Sequence, residues 1–110
     1  MAVSVQQRGE DTGLVEKHPC VYIVTNKKHG TLYIGVTSNL PARIWQHKQG
    51  SLAGFTRNYG LKHLVYFECA DSIISAIERE KQLKNWHRAW KIRLIESSNP
   101  DWNDLYRSIV

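Results

Sequence analysis

The sequence has few cysteines and no long apolar run. Its two cysteines, Cys20 and Cys69, form no CxxC pattern, so a cysteine-rich zinc site is excluded and a disulfide framework is not expected. We expect both to be buried free thiols of a reducing cytoplasm. No segment reaches the roughly 18 apolar residues of a membrane span, and MAVSVQQRGEDTGLVEK lacks the basic and apolar order of a secretory signal.

Acidic residues are absent from a wide stretch of the chain. No Asp or Glu lies between Glu16 and Glu68, although formal net charge is only +5 for the whole sequence. A stretch whose charged side chains are all positive attracts polyanions such as nucleic acid or an anionic membrane. The alternative is a basic surface with no specific partner. The positive charges of this stretch are Lys17, Lys27, Lys28, Arg43, Lys48, Arg57 and Lys62.

The order of the predicted elements indicates an α+β fold. Runs rich in β-branched and aromatic residues predict strands at 20–26, 31–37 and 63–69. Capping residues and glycine predict helices from Ser38 or Asn39 to Gly50, from Asp71 or Ser72 to Lys84, and over 87–97. The order ββαβαα predicts a small α/β sandwich, in which a three-stranded antiparallel sheet is flanked by helices.

A chain of 110 residues fits one domain with one modest core. We expect 1–16 to be a flexible N-terminal extension and 17–97 to be the domain. The tail 98–110 is expected to pack on that domain through Trp102 and Leu105, with a short closing helix.

One carboxylate in the second predicted helix breaks the amphipathic pattern. At about 100° per residue, Glu80 projects within about 20° of Ile73, on the stripe that also holds Ala76, Ile77 and Leu83. Glu78 projects to the polar side. An ionised carboxylate on a core-facing stripe is costly unless it is paired or binds a metal. Glu80 is therefore either a metal ligand or a structural partner of an arginine.

Two further groups of polar side chains accompany it. Arg43 and His47 share one face of the first helix, beside Leu40 and Ile44, so their polar ends are expected at the edge of the sheet. Alternation places Tyr22 and Tyr33 on the hairpin face opposite the aliphatic residues. Ordinary snorkelling and aromatic pairing are the alternatives for these four residues.

Together these groups suit the hydrolysis of a phosphodiester bond. A carboxylate can hold Mg²⁺ through oxygen, and a guanidinium can neutralise charge on phosphoryl oxygens. A phenol or imidazole can orient or deprotonate water, although a phenol needs a nearby cation to be a useful base. Gly35 in the second strand is expected to leave room for a phosphate backbone, because strand glycines often mark close approach.

These residues resemble a known family. The pattern of Val21-Tyr22, Tyr33-Ile34-Gly35, Arg43 and His47, followed by the helix AIEREKQLK, is similar to the GIY-YIG nuclease signature. Cys20 stands where the first glycine of the signature is usual. The chain resembles the small stand-alone branch, which is related to the nuclease domain of the bacterial excision-repair incision subunit. The resemblance covers about residues 17–97.

The resemblance implies a metal-dependent DNA endonuclease with one Mg²⁺ or Mn²⁺ ion, active in DNA repair or recombination. Glu80 is then the metal ligand and Arg43 clamps the scissile phosphate. Tyr22 and Tyr33 orient the water, one of them as base, and His47 assists proton transfer. Weaker candidates for DNA contact are Gly35, Arg57, Tyr59 and Lys84.

Targeting is the part that the resemblance does not provide. No second DNA-binding motif is visible, so binding to DNA is expected to be weak and structure-guided or nonspecific, or to depend on a protein partner or self-association. Two alternatives stay open: a nucleic-acid-binding or interaction module that does not cut, and a purely structural polar network.

Overall fold

The computed structural model describes residues 18–52 and 54–110. The expected flexible extension at 1–16 therefore lies outside the described residues. Three strands form one antiparallel sheet in the order β2-β1-β3. The strands are β1 (Cys20–Thr25), β2 (Leu32–Thr37) and β3 (His63–Cys69); the helices are α1 (Leu40–Gln49), α2 (Phe55–Asn58), α3 (Ile73–Asn85), α4 (Arg88–Ser98) and α5 (Tyr106–Ile109). The α+β fold class is confirmed. The short helix α2 was not expected, whereas α5 lies in the tail for which a short closing helix was expected.

The helix ends follow the capping chemistry of the sequence. Asn39 accepts a hydrogen bond from the Ala42 amide at 3.2 Å and begins α1, and Gly50 ends it at a φ of 67°. Only glycine takes this left-handed conformation without steric cost, so Gly50 is a natural stop. Ser72 and Ser75 exchange backbone and side-chain hydrogen bonds in a capping box that begins α3.

Each face of the sheet is covered by its own apolar cluster. On the α3 face, the aliphatic residues of the hairpin pack with side chains of α3 and α4 and with Trp102. On the α1 face, Tyr22 and Val24 pack against Leu40 and Ile44 of α1. The sheet register shifts between Ile23 and Val24 opposite β3, as in a β-bulge. The hairpin alternates as predicted for Val21, Ile23 and Ile34 on the α3 face and for Tyr22 and Tyr33 on the α1 face, which Val24 shares.

The C-terminal segment closes both faces. Asn99 donates from Nδ2 to the carbonyl oxygens of Val65 and Asn103, at 3.1 and 2.9 Å. Trp102 is buried on the α3 face, and Leu105 donates its amide to the Leu64 carbonyl at 2.8 Å. Trp102 and Leu105 of the tail thus both contact the sheet.

Two burial predictions are wrong. Ile73 and Ile77 are exposed, because the buried stripe of α3 runs through Ala76 and Leu83 and is rotated away from them. Cys69 is also exposed, because it ends the outer strand β3, whereas Cys20 is buried in the central strand. In the part of the chain that the structure describes, no helix is long and apolar enough to cross a membrane.

Candidate active site

Tyr22 is at the centre of the polar cluster on the α1 face. It lies in the middle strand, fully buried, directly opposite Gly35 of β2. The rings of Tyr22 and Tyr33 are 6.4 Å apart, and each also lies within 6 Å of the His47 ring, at 5.4 and 5.9 Å. Strand register and the phase of α1 therefore bring the three rings together.

Gly35 makes room for the Tyr22 ring. A β-carbon placed on Gly35 would lie 2.5 Å from both Cζ and Oη of Tyr22, far inside ordinary contact distance. Gly35 is itself buried. The structure thus gives this glycine a different role from the expected approach of a phosphate, since the phenol of the neighbouring strand already occupies that space.

His47 is buried and not at the rim of the sheet where it was expected. Only 3% of its surface is exposed, and its Nε2 lies 2.9 Å from the Tyr22 hydroxyl. Its Nδ1 is buried without a hydrogen-bond partner among the described residues. The sequence carried the signal for this position, because Leu40, Ile44 and His47 have the i, i+4, i+7 spacing of one buried helix face.

Burial keeps Tyr22 and His47 uncharged at neutral pH. It lowers the pKa of His47 to about 4, with a further contribution from the positive charge of Arg43. Burial also raises the pKa of Tyr22 to about 12, against the opposing effect of the Arg43 guanidinium. The pair is therefore a neutral phenol hydrogen-bonded to a neutral imidazole.

Arg43 is the cation whose charge acts on this pair. The residue is half-buried, one turn before His47, and its Nε donates to Gln46 Oε1 at 3.2 Å. Its charge acts on the pKa values of both Tyr22 and His47, which places the guanidinium within electrostatic reach of both rings. From this position the Arg43 guanidinium can form charge-assisted hydrogen bonds with an anion bound over the tyrosine rings.

Glu80 reaches the same cluster from α3. Its side chain is only 15% exposed, and its Oε2 lies 2.8 Å from Nζ of Lys84. The Glu80 carboxylate contributes to the raised pKa of Tyr22, and Tyr33 contributes to the raised pKa of Lys84, after Glu80 itself. Glu80 therefore lies within electrostatic reach of Tyr22, and Lys84 within electrostatic reach of Tyr33.

The partner of Glu80 differs from the arginine considered from the sequence. Within the described residues Glu80 forms its ion pair with Lys84, one turn further along the helix. Arg79, the adjacent arginine, instead donates from Nε to both oxygens of Glu68, at 3.1 and 3.2 Å. Glu78 is exposed on the far side of α3, in agreement with its helical projection.

The donor set near Glu80 fits a hard divalent ion held by few protein ligands. Residues 18–52 and 54–110 contain no group of three or more His, Cys, Asp or Glu side chains that could hold a metal. Mg²⁺, however, is commonly bound through one or two carboxylates and completes its shell with water and substrate phosphates. Glu80 fits that pattern, with Lys84 as a competitor for its carboxylate.

An exposed strip of aromatic rings leads away from the tyrosines. The ring of Phe55 lies 6.4 Å from Tyr33 and 4.7 Å from Tyr59. Phe55 is 49% exposed and Tyr59 54% exposed, and Arg57 between them is also exposed. Sequence reasoning singled out Arg57 and Tyr59 as candidates but not Phe55, because the short helix α2 that groups them lies in a segment resembling a polar loop.

A family model and several known proteins are similar to this chain. Residues 18–93 match the family model of the GIY-YIG catalytic domain. A UPF0213 protein of Haloquadratum walsbyi is 37% identical over 76 residues, which are 69% of this chain and 84% of that protein. A UPF0213 protein of Staphylococcus aureus has the same identity, over 92% of its own length.

A solved structure is also similar to this chain. It is the solution NMR structure of a UPF0213 protein from Bacillus halodurans, with a TM-score of 0.50 and 29% sequence identity. The similarity covers 79% of this chain and 92% of that one. The names of these relatives state no activity.

Proposed function

Since the chain belongs to the GIY-YIG family, a family of endonucleases, we propose that it is a metal-dependent endonuclease that hydrolyses phosphodiester bonds in DNA. One observation carries the proposal. Two phenols, an imidazole, a guanidinium and a carboxylate from four elements converge around the Tyr22–His47 hydrogen bond. Each supplies a function that phosphodiester hydrolysis needs.

Arg43 is proposed to bind the scissile phosphate. Its guanidinium lies beside two uncharged rings, so the Tyr22–His47 pair does not neutralise its positive charge. A bound phosphate would supply that anion and would accept charge-assisted hydrogen bonds. These bonds strengthen as charge builds on the phosphoryl oxygens during the reaction.

Tyr22 and His47 are proposed to act together as a proton-accepting pair. With a pKa raised to about 12, Tyr22 is a poor phenolate base near neutral pH. Once an anionic phosphate is bound beside it, the imidazole becomes a stronger base and can accept the Tyr22 hydroxyl proton at Nε2 while the phenol oxygen takes a proton from the attacking water. Tyr33, less buried and next to Lys84, is proposed to orient that water.

Glu80 is proposed to hold one Mg²⁺ or Mn²⁺ ion. Nucleases of this family typically use a divalent metal, and when bound it would polarise the phosphate and stabilise the leaving oxygen. Its proposed ligand is a carboxylate within electrostatic reach of Tyr22. The neighbouring Lys84 keeps this carboxylate paired when no metal is bound.

DNA is proposed to contact the exposed strip beside Tyr33 as well as the catalytic residues. Bases can stack on Tyr59 and its neighbour Phe55, while Arg57 and Lys84 contact phosphates. These contacts are sequence-independent, so we propose structure-guided or nonspecific cleavage, in repair or recombination in the cytoplasm. A protein partner or self-association would then supply targeting.

One observation favours a second candidate, a nucleic-acid-binding module that does not cut. The Lys84–Glu80 ion pair already satisfies part of the carboxylate that the metal would need. If this pair is permanent, the fold and its basic surface can bind DNA without hydrolysing it. The two candidates differ in the effect of a divalent metal. A nuclease cleaves DNA when the metal is added, whereas for a non-cleaving module the metal changes only the affinity for DNA.

A cleavage screen tests the proposal. Pure protein is incubated with supercoiled plasmid and with labelled flaps, bubbles, junctions, single strands and RNA, in Mg²⁺ or in Mn²⁺. We expect nicking that EDTA abolishes and that Glu80→Ala and Arg43→Ala remove. Binding that survives EDTA, without cleavage of any of these substrates, would replace the endonuclease with the non-cleaving module.

A further inference from the structure

Cys20 and Cys69 face each other across β1 and β3, apart from the proposed catalytic residues. They are the two cysteines of the chain, they are register partners, and their Sγ atoms are 3.3 Å apart. The Ala70 amide donates to the Pro19 carbonyl at 2.9 Å. This bond brackets Cys20 and Cys69 as a non-hydrogen-bonded pair, the position at which antiparallel strands bring side chains closest.

Such a pair is close enough to be bridged. Non-hydrogen-bonded partners have α-carbons about 4.5 Å apart, at the short end of the range found for disulfides. The two Sγ atoms would need to approach by only about 1 Å more. Rotation of the two side chains can supply that movement without a change of strand register.

The two thiols differ in access. Cys69 is exposed, whereas Cys20 is buried and its pKa is raised to about 12 by burial and by Cys69. A cavity of about 310 Å³ has both cysteines in its wall, together with Phe67 and the first residues of α1. A small-molecule disulfide can therefore reach Cys69 first, and the Cys20 thiol lies next to it.

We propose that Cys20 and Cys69 form a modification site, which a small-molecule disulfide oxidises to an intramolecular disulfide bond. The Cys69 thiolate attacks the reagent, forms a mixed disulfide and releases one reagent thiolate. Cys20 then loses its proton to solvent and attacks the Cys69 sulfur, which releases the second reagent thiolate. The reagent is reduced to two thiols and the protein loses two hydrogens.

The proposal does not depend on nuclease activity. Disulfides of cytosolic proteins are usually transient or redox-sensing, and an exposed cysteine in a strand at the sheet edge has the access that such chemistry needs. The bond would tie β1 to β3 beside Asn39 and Leu40, where α1 begins.

Mass spectrometry of the folded protein with oxidised glutathione tests the site. The wild type is expected to lose two hydrogens and to retain no glutathione. Cys20→Ser is expected to accumulate one glutathione on Cys69, because the resolving thiol is gone. Cys69→Ser is expected to remain unmodified, because Cys20 is buried.

Equilibrium measurements complete the test. A pair preset by the fold should have a disulfide formation constant at least about 30-fold larger in the folded chain than in urea. A ratio near one, a stable mixed disulfide on the wild type, or disulfide-linked dimers would each overturn the proposal. Circular dichroism of both serine variants checks that they fold, and the wild-type ratio decides the matter even if one does not.

Discussion

Gly35→Ala should disrupt the active-site cluster although none of its polar side chains is replaced. The added β-carbon would lie 2.5 Å from Cζ and Oη of Tyr22 and 2.8 Å from Cε2. Carbon atoms in contact are normally about 3.5–4.0 Å apart, so the overlap is roughly 1 Å. Tyr22 is fully buried in the central strand, so its ring cannot move without displacing its neighbours.

The change in the free energy of unfolding can be worked out from two costs and one gain. Overpacking of a core typically costs about 1–3 kcal/mol, and loss of the Tyr22–His47 hydrogen bond adds about 1 kcal/mol. Replacing a strand glycine by alanine returns about 0.5–1 kcal/mol. We therefore expect a loss of about 2 kcal/mol in the free energy of unfolding, or roughly 10 °C in Tm. Cleavage should fall by about 100-fold, because the phenol leaves its position.

Urea denaturation and plasmid nicking measure both effects, and a second background supplies the control. In Tyr22→Ala the ring is absent, so Gly35→Ala should be neutral or stabilising by up to about 1 kcal/mol. Equal destabilisation in the two backgrounds would refute the assignment of Gly35 to the Tyr22 ring and would point to some other constraint on the strand.

Three further predictions concern His47, Lys84 and Tyr59. The His47 pKa is lowered to about 4, below its unfolded value, so stability should be full above about pH 6.5 and fall as pH drops toward 4, by at most about 1.4 kcal/mol per pH unit. Urea titrations should show a shallower fall for His47→Gln; identical slopes would contradict this. Lys84→Met removes the competitor for Glu80, and calorimetry without DNA should show Mn²⁺ bound about 2- to 5-fold more tightly, with Lys81→Met unchanged. Tyr59→Ala should weaken binding of single-stranded DNA in EDTA by at least about 5-fold by fluorescence anisotropy, and unchanged affinity would remove the aromatic strip from the DNA path.

Local chemistry explains why much of the fold could be predicted from the sequence. Alternating β-branched residues gave the three strands, and the caps Asn39, Gly50 and Ser72 marked the helix ends that the structure shows. The separation of Glu80 from Glu78 also followed from helical phase alone. These signals are local, so they do not depend on tertiary packing.

The misses arose where tertiary packing decides. Ile73 and Ile77 are exposed because α3 packs through the smaller Ala76, which no hydrophobicity pattern favours over isoleucine. The helical spacing of His47 indicated burial, but a buried imidazole needs a polar partner, and that partner is Tyr22, 25 residues away in the chain. Phe55 joined the site only through a short helix, whose four residues carry too little periodicity to be recognised.

The comparison of Glu80→Gln with Glu78→Gln tests the proposed metal-dependent nuclease most directly. Both changes remove one charge from α3 while keeping nearly the same shape. Glu80 is partly buried and within electrostatic reach of Tyr22, whereas Glu78 is exposed. In single-turnover cleavage with Mg²⁺ or Mn²⁺, we predict a loss of at least about 100-fold for Glu80→Gln and a rate within about 2-fold of wild type for Glu78→Gln. Full activity of Glu80→Gln, or loss of activity in Glu78→Gln alone, would contradict it.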